Sequence, residues 1–136
     1  MYPISSTIEN RQDRYMAIHE ALKQQGFSLG GNWDYAHGCF DRALEEGQKV
    51  WLRIPFQVVS GTFDGLQDDP DAQIQLGTPY VLKHVYQEGL DGEARIRTYG
   101  AMLDQFQAPV DADAEVEKKW IDSAEKLLAR IEQAFV

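Results

Sequence analysis

The nine residues from Val50 to Val58 constrain the fold of this chain more than any other segment. Apolar side chains occupy all the even-numbered positions, whereas Arg53 and Gln57 lie at odd-numbered ones. Because side chains alternate between the two faces of a strand, this period-two pattern predicts a half-buried strand of an antiparallel sheet. Pro55 has no backbone N–H to donate, so it favours a sheet edge or a bulge at that position.

Two hairpins are predicted around this strand. Gly47, within Glu45-Glu46-Gly47-Gln48, supplies the backbone freedom that a turn or bulge needs, so Trp33–Leu44 is predicted to pair with Lys49–Val59. Downstream, Ala72–Leu76 and Tyr80–Gln87 flank Gly77-Thr78-Pro79 and predict a second hairpin. The turn-rich, acidic residues 60–71 predict a surface loop, and residues 93–109 are compatible with a strand followed by a short helix or a further strand.

A helix is predicted at each end of the chain. Tyr15, Ile18 and Leu22 recur at helical spacing and predict a helix over about Ile8 to Gln25, ended by Gly26. Ser6 and Glu9 have the spacing of a capping box at its start. The second helix is predicted over about Ala114 to Phe135, with one apolar stripe formed by Val116, Trp120, Ala124, Leu127, Leu128, Ile131 and Phe135.

The order of these elements predicts an α+β fold. We expect an antiparallel sheet of four to five strands built from two hairpins, with the N-terminal and C-terminal helices packed on one face. The 136 residues are 43% hydrophobic, which is enough to close around one core, so a single domain over residues 1–136 is expected.

Charge and cysteine content exclude several classes of protein. The formal net charge is −9, and no run of Lys and Arg offsets it locally, so a nucleic-acid partner is not expected. Cys39 is the single cysteine and cannot form an internal disulfide, which fits a reducing compartment. The N-terminal residues lack the features of a secretory signal, and no segment has the length of a membrane span. We therefore expect a cytoplasmic protein that does not insert into a membrane.

The segment Asn32–Asp41 is chemically the densest part of the chain. If it forms a strand, one face carries five side chains of mixed chemistry, namely Trp33, Tyr35, His37, Cys39 and Asp41. Such a face is either part of the core or the floor of a pocket. Its imidazole, thiolate and carboxylate groups suit a metal site, and a thiol enzyme would need His84 or His37 beside Cys39. However, residues two apart on a strand are separated by about 6.5 to 7 Å, which is wide for metal ligands.

A second grouping favours binding over catalysis. The predicted strands carry residues with aromatic surface and polar tips, as binding pockets and interfaces do: Trp33, Tyr35, Trp51, Arg53, His84 and Tyr86. A place in the hydrophobic core is the alternative for Trp33, Tyr35 and Trp51. No catalytic, metal-binding or cofactor-binding signature occurs in the chain, so no catalytic residue, metal ligand or cofactor is assigned.

Three segments of the chain resemble a known family. They are Gly31–Asp41 (GNWDYAHGCFD), Leu52–Phe56 (LRIPF), and Pro79–Tyr86 (PYVLKHVY) together with Glu88–Asp91. They resemble the YugN-like family of small proteins from Bacillus and its relatives, and the resemblance extends over nearly the whole chain. It implies a small cytosolic bacterial domain and brings no established activity or catalytic residue to this sequence.

Two hypotheses about function follow. The leading one is a non-enzymatic domain that binds a partner protein, a second copy of itself or a small ligand through its sheet, with Trp33, Tyr35, His37, Arg53, His84 and Tyr86 as the binding residues. A homodimer is consistent with it, because helices on one face leave the other face of the sheet uncovered. The alternative is a metal-binding or thiol-dependent enzyme that uses His37, Cys39, Asp41 and His84.

Overall fold

One long strand organises the structure, a computed structural model that describes residues 1–47, 49–63, 72–83 and 116–135. This strand is β5, with 11 residues, and it pairs with neighbours along both of its edges. In chain order the described elements are β1 (Tyr2–Pro3), β2 (Gln12–Arg14), α1 (Tyr15–Lys23), β3 (Ser28–Leu29), β4 (His37–Ala43), β5 (Val50–Ser60), β6 (Gln73–Leu76), β7 (Tyr80–Lys83) and α2 (Lys118–Ala134). An antiparallel sheet together with helices makes this an α+β fold.

The first predicted hairpin is confirmed, but its first strand is shorter than predicted. β4 pairs antiparallel with β5 from His37 opposite Gln57 to Ala43 opposite Trp51. The strand does not extend back to Trp33, because Asp34 forms a local turn. Its Oδ1 accepts the backbone N–H groups of Ala36 and His37, each at 2.7 Å, and these bonds replace further strand pairing.

The prediction of a second hairpin is wrong. β6 and β7 do not pair with each other. Both run antiparallel to β5 along the edge opposite β4, β7 beside its first half and β6 beside its second half. At the junction, the Gly77 N–H donates to the Pro55 carbonyl at 2.8 Å. In an antiparallel ladder, the N–H and C=O of one residue point to the same neighbouring strand. Pro55 has no N–H to donate, and its position therefore coincides with the interruption between β6 and β7. Residues 77–79 therefore interrupt one line of pairing and do not reverse the chain.

The described residues form seven strands, more than the four to five that were predicted. Three of the seven contain only two or three residues each: β1 pairs with β7, β2 with β6, and β3 with β4. Segments this short show no period-two pattern, so the sequence does not reveal them.

The N-terminal helix begins later than predicted, at Tyr15. The capping-box contact exists, because the Ser6 N–H donates to Glu9 Oε2 at 2.8 Å, yet it closes a single turn. Asn10 then takes a φ of 66°, which no helix residue adopts, and β2 follows. The other end is confirmed: Gly26 has a φ of 86°, and the Phe27 N–H donates to the Leu22 carbonyl at 3.0 Å, as in a Schellman motif.

The C-terminal helix carries the predicted apolar stripe. Ala124, Leu127, Leu128 and Ile131 are buried on α2. They join one hydrophobic cluster with buried residues of α1 and with the even-numbered side chains of β5, namely Val50, Leu52, Ile54 and Phe56. The prediction that this helix begins near Ala114 lies outside the described residues. Among the described residues, no helix has the length and apolar character that crossing a membrane requires.

Candidate functional site

A polar cluster occupies the odd-numbered face of β4 and β5. The register places Cys39 opposite Pro55 and Asp41 opposite Arg53. On the other edge of β5, Tyr80 of β7 lies opposite Arg53. Because side chains of paired residues project to the same face, three neighbouring strands direct Cys39, Asp41, Arg53 and Tyr80 to one place. These four residues are referred to below as the Arg53 cluster.

An ion pair with two hydrogen bonds forms the centre of the Arg53 cluster. Arg53 Nε lies 2.9 Å from Asp41 Oδ1, and Arg53 Nη2 lies 3.3 Å from Asp41 Oδ2. Only 22% of the Arg53 side chain and 13% of the Asp41 side chain are exposed. The backbone of Gly30 leaves room for this carboxylate, since a Cβ at that position would lie 2.7 Å from Asp41 Oδ2. The pair is therefore a packed structural contact and not a flexible surface bridge.

The pKa values of the cluster indicate which groups are charged. Burial opposes the charge of Arg53, but the hydrogen bond and the charge of Asp41 outweigh it, so the pKa of the guanidinium is raised. Burial raises the pKa of the Tyr80 hydroxyl, although its interaction with Arg53 acts in the opposite direction. Both effects keep one positive charge on Arg53 and a neutral phenol beside it at neutral pH.

Cys39 has the environment of an unreactive thiol. Burial is the largest influence on it and raises its pKa above the ordinary value, against the smaller opposing effect of Arg53. A thiol must lose its proton to act as a nucleophile or as a metal ligand. Asp41, the carboxylate nearest to it in the register, is already engaged by Arg53. The cluster therefore lacks an activated nucleophile.

A second group of candidate residues lies at one end of the sheet. Trp33 and Tyr35 precede β4, His37 is its first residue, and Val59 lies near the end of β5. The Ala36 carbonyl accepts the N–H of Val58 at 2.7 Å, which holds these two parts of the chain together. Trp33, Tyr35, His37 and Val59 are all exposed. This group is called the aromatic end below.

The aromatic end is supported from beneath by the core. The ring of Trp33 meets the buried ring of Phe63 edge to face, with 5.4 Å between centroids. Phe63 in turn packs against Tyr15 and Phe56 at centroid distances of 4.8 and 5.5 Å. The turn at Asp34 fixes the backbone between Trp33 and His37, and hydrogen bonds from the Ala36 and His37 amides hold the pKa of Asp34 below its ordinary value. Exposed aromatic groups are thus held on a well-supported loop.

The structure separates the residues that the sequence grouped together. Arg53 belongs to the Arg53 cluster, whereas Trp33, Tyr35 and His37 belong to the aromatic end, so the prediction that all five odd-numbered residues from Trp33 to Asp41 share one strand face is wrong. Placement of Trp33 and Tyr35 in the core is also wrong, because both are exposed outside the strand. His84 and Tyr86 lie outside the described residues, as does the distance from His84 to Cys39.

The imidazole of His37 lies beside Asp34. Its Nδ1 lies 3.5 Å from Asp34 Oδ1 on the protein surface. Within the described parts of the chain, no group of three or more His, Cys, Asp or Glu side chains is placed to hold a metal ion. Gly38, between His37 and Cys39, pairs regularly with Phe56, so β4 has no bulge there that would bring the side chains of His37 and Cys39 closer together.

Sequence reasoning missed Tyr80 as a member of the Arg53 cluster. Its only sequence signal is that it opens a short apolar segment after Pro79, and its partner depends on how β7 aligns with β5. The prediction of a hairpin between β6 and β7 concealed that alignment. A register that pairs Tyr80 with Arg53 is a long-range property, which local patterns do not encode.

Comparison with known proteins relates nearly the whole chain to one family. A relative from Bacillus subtilis (strain 168), described as uncharacterized protein YugN, is 28% identical over 137 residues, which cover 100% of this chain and 99% of the relative. The crystal structure of an uncharacterized conserved protein YugN from Geobacillus kaustophilus HTA426 is similar with a TM-score of 0.69 and 18% identity, covering 98% of this chain and 94% of that one. The latter likeness concerns the fold alone.

The family assignment rests on a match over almost the full length. Neither relative's description names an activity, a ligand or a partner. The model of the YugN-like family matches residues 3–135, which confirms the resemblance carried by the three sequence segments. The chain therefore belongs to the YugN-like family.

Proposed function

We propose that this chain is a non-enzymatic binding domain that docks a second copy of itself through the aromatic end. The observation that carries the proposal is the exposure of its apolar groups. Tyr35 is 79% exposed, Trp33 37% and Val59 42%, and these are three of the five large hydrophobic side chains that are exposed among the described residues. Large apolar groups gathered at one place on a surface are typical of interaction sites.

The chemistry and support of the aromatic end suit a protein interface. Tyr and Trp contribute strongly to binding energy because each buries a large area while few torsions are fixed. The contact of Trp33 with Phe63 and the turn at Asp34 hold this surface in place before any partner arrives. A surface that is ordered in advance loses less conformational entropy on binding.

The charge distribution favours a second copy as the partner. The chain has a net charge of −9, so two copies repel each other over most orientations. Residues 32–37 and 57–63 contain one carboxylate, Asp34, and one imidazole, His37, and no Glu, Lys or Arg. Two copies therefore meet little charge repulsion at the aromatic end, and a two-fold arrangement there can place Asp34 of one copy near His37 of the other.

The Arg53 cluster supports the non-enzymatic part of the proposal. Its carboxylate is engaged by Arg53, and burial keeps its thiol protonated. The proposal takes the chain as one cytoplasmic domain in which both helices pack on the even-numbered face of the sheet. The shared hydrophobic cluster of α1, α2 and β5 supports that placement.

Self-association is tested by light scattering coupled to size-exclusion chromatography, from low to high micromolar concentration. We expect the mass to rise from monomer to dimer with concentration. Substitution Tyr35→Ala should shift the equilibrium towards monomer by at least about tenfold, as loss of a central aromatic does at other interfaces. Added salt should strengthen the dimer because it screens the repulsion between acidic chains.

A matched control is available in Tyr2, a 46% exposed tyrosine on β1. Tyr2→Ala removes the same side chain from a different part of the surface and should leave the dimer unchanged. A strict monomer at all concentrations, or an equal loss in Tyr2→Ala and Tyr35→Ala, contradicts the proposal.

A further inference from the structure

A cavity of about 270 Å³ lies between the end of β4 and α2, remote from the aromatic end along β4. Arg42 and Leu44 line it from the strand side. Ser123, Lys126, Leu127 and Arg130 line it from the helix side, where their spacing of three and four residues places them along one stripe of α2. The cavity thus combines three cationic groups, one hydroxyl and an apolar floor.

The three cations of this cavity have no anionic partner in the part of the chain that the structure describes. None of Arg42, Lys126 and Arg130 makes an ion pair or a side-chain hydrogen bond within the part of the chain that the structure describes. Three positive charges around one cavity, without a partner among the described residues, contrast with the net charge of −9 of the chain. Like charges placed together destabilise the fold unless something offsets their repulsion.

Two carboxylates near the cavity are engaged within the chain, and Glu46 is exposed on the turn after Leu44. Asp122 forms an ion pair with Lys118, with 3.3 Å between Asp122 Oδ2 and Lys118 Nζ. Glu45 accepts the backbone N–H groups of Gly47 and Lys49 at 2.8 and 2.6 Å. Glu125 lies on the opposite side of the helix from Ser123 and Arg130, given 3.6 residues per turn. These contacts leave the positive charge of the cavity available to an external anion.

Arg42 is held in position by the end of α1. The side chain lies against Gly26, where an added Cβ would come within 3.1 Å of Arg42 Nε and 3.3 Å of Cδ. Gly26 already requires glycine because its φ is 86°. The Arg42 side chain therefore packs against the backbone of Gly26 and lines the cavity. Its planar guanidinium can form two parallel hydrogen bonds to phosphate oxygens.

From these observations we propose that the cavity binds the phosphate group of a small, soluble phosphate monoester. Two guanidinium groups and an ammonium more than offset the charge of a phosphate dianion, and the Ser123 hydroxyl can donate to a phosphate oxygen. The volume lies just below the range of pockets that hold drug-sized ligands, so the organic part of the ligand is small. The apolar surfaces of Leu44 and Leu127 contact that part. This site is independent of the proposed self-association.

Binding is measured by amide chemical shifts of the isotopically labelled full chain, at constant ionic strength. The probes are inorganic phosphate, glycerol 3-phosphate, and vesicles of phosphatidylcholine with and without phosphatidylglycerol. We expect glycerol 3-phosphate to move the amide signals of Ser123, Lys126 and Arg130 in a saturable manner and to bind more tightly than inorganic phosphate. Vesicles should leave these signals unchanged.

Charge-matched variants separate a site from a general effect of charge. Lys126→Gln with Arg130→Gln should weaken glycerol 3-phosphate binding by at least about tenfold, since two charged hydrogen bonds are lost. Arg14→Gln with Lys23→Gln removes the same charge from exposed residues outside the cavity and should have no effect. Ser123→Glu, which introduces an anion into the cavity, should abolish binding while the circular dichroism spectrum and melting temperature show an intact fold.

The proposal is overturned by any of three results. One is the absence of saturable shifts at the cavity with glycerol 3-phosphate. Another is equal weakening in the two charge-matched double variants. The third is binding of anionic vesicles, but not of the soluble ester, that depends on Lys126 and Arg130, which would assign the cavity to a membrane surface.

Discussion

The Arg53 cluster and the aromatic end are both formed by β4 and β5, yet they differ in how completely their groups are used. In the Arg53 cluster, charge meets charge at hydrogen-bonding distance, and the two partners are mostly buried. At the aromatic end, Tyr35 remains 79% exposed. A group whose interactions are satisfied within the chain contributes to stability, whereas an ordered but unsatisfied apolar group is available to a partner. The chemical variety of a segment therefore indicates function only when the burial of its side chains is also known.

The largest effect is expected at Gly38, which lies between the two regions. A Cβ there would lie 2.5 Å from Cζ of Phe56, and that ring is fixed by Phe40 at a centroid distance of 5.0 Å. Gly38→Ala should lower the free energy of unfolding by about 3 kcal/mol, because the core must shift to admit the methyl group. Urea unfolding followed by circular dichroism measures this. A loss below about 0.5 kcal/mol would show that Phe56 moves freely and that the aromatic end lacks a rigid base.

Asp41→Ala is expected to have the next largest effect. It leaves Arg53 without its partner in a mostly buried position, which should cost about 2 kcal/mol of unfolding free energy. Self-association should be unchanged, since the Arg53 cluster is outside the proposed interface. Urea unfolding and light scattering on the same preparation check both statements, and loss of the dimer in this variant would join the two regions that the account separates.

A smaller effect is expected from Gly30→Ala. The added Cβ would lie 2.7 Å from Asp41 Oδ2, so the carboxylate would have to move. The cost should be about 1 kcal/mol in the natural sequence and should fall towards zero when Asp41 is already alanine, because the clash then disappears. A double-mutant cycle in urea measures the coupling. Additive losses would mean that Gly30 acts through its backbone and not through room for the carboxylate.

Acid should loosen the loop of the aromatic end. The pKa of Asp34 is lowered in the folded chain by hydrogen bonds from Ala36 and His37. Its contribution to stability is therefore complete above the ordinary pKa of 3.8 and is lost as the pH falls through the lowered folded value. Asp34→Asn keeps an acceptor oxygen but does not titrate, so its stability should fall less between neutral pH and about pH 3. An unchanged acid dependence would remove Asp34 from this role.

The elements that the sequence predicted are those with long local patterns. The alternation in β5 and the apolar stripe of α2 each extend over several residues and are confirmed. The start of β4 could not be predicted from alternation, because the Asp34 side chain competes for the backbone amides of Ala36 and His37. Similarly, Gly77 and Pro79 have the composition of a turn, yet β6 and β7 both pair with β5, and the interruption between them lies opposite Pro55, which has no N–H to donate.

The sequence indicated which residue types form the candidate site, but not how those residues are arranged. Cys39 and Asp41 could be placed on one face from the period of β4, whereas their position beside Arg53 depends on the register between β4 and β5. Tyr80 could not, because its place depends on the register of a strand 27 residues further along the chain than Arg53. Trp33 and Tyr35 were grouped with them by an alternation that ends at the turn.

The central claim is that binding resides in the aromatic end and stability in the Arg53 cluster. Sedimentation equilibrium of Tyr35→Ala and Asp41→Ala, each paired with urea unfolding of the same sample, tests it most directly. We expect Tyr35→Ala to lose the dimer with a change in unfolding free energy within about 0.5 kcal/mol, and Asp41→Ala to lose about 2 kcal/mol and keep the dimer. A Tyr35→Ala variant that dimerises like the natural sequence would contradict it.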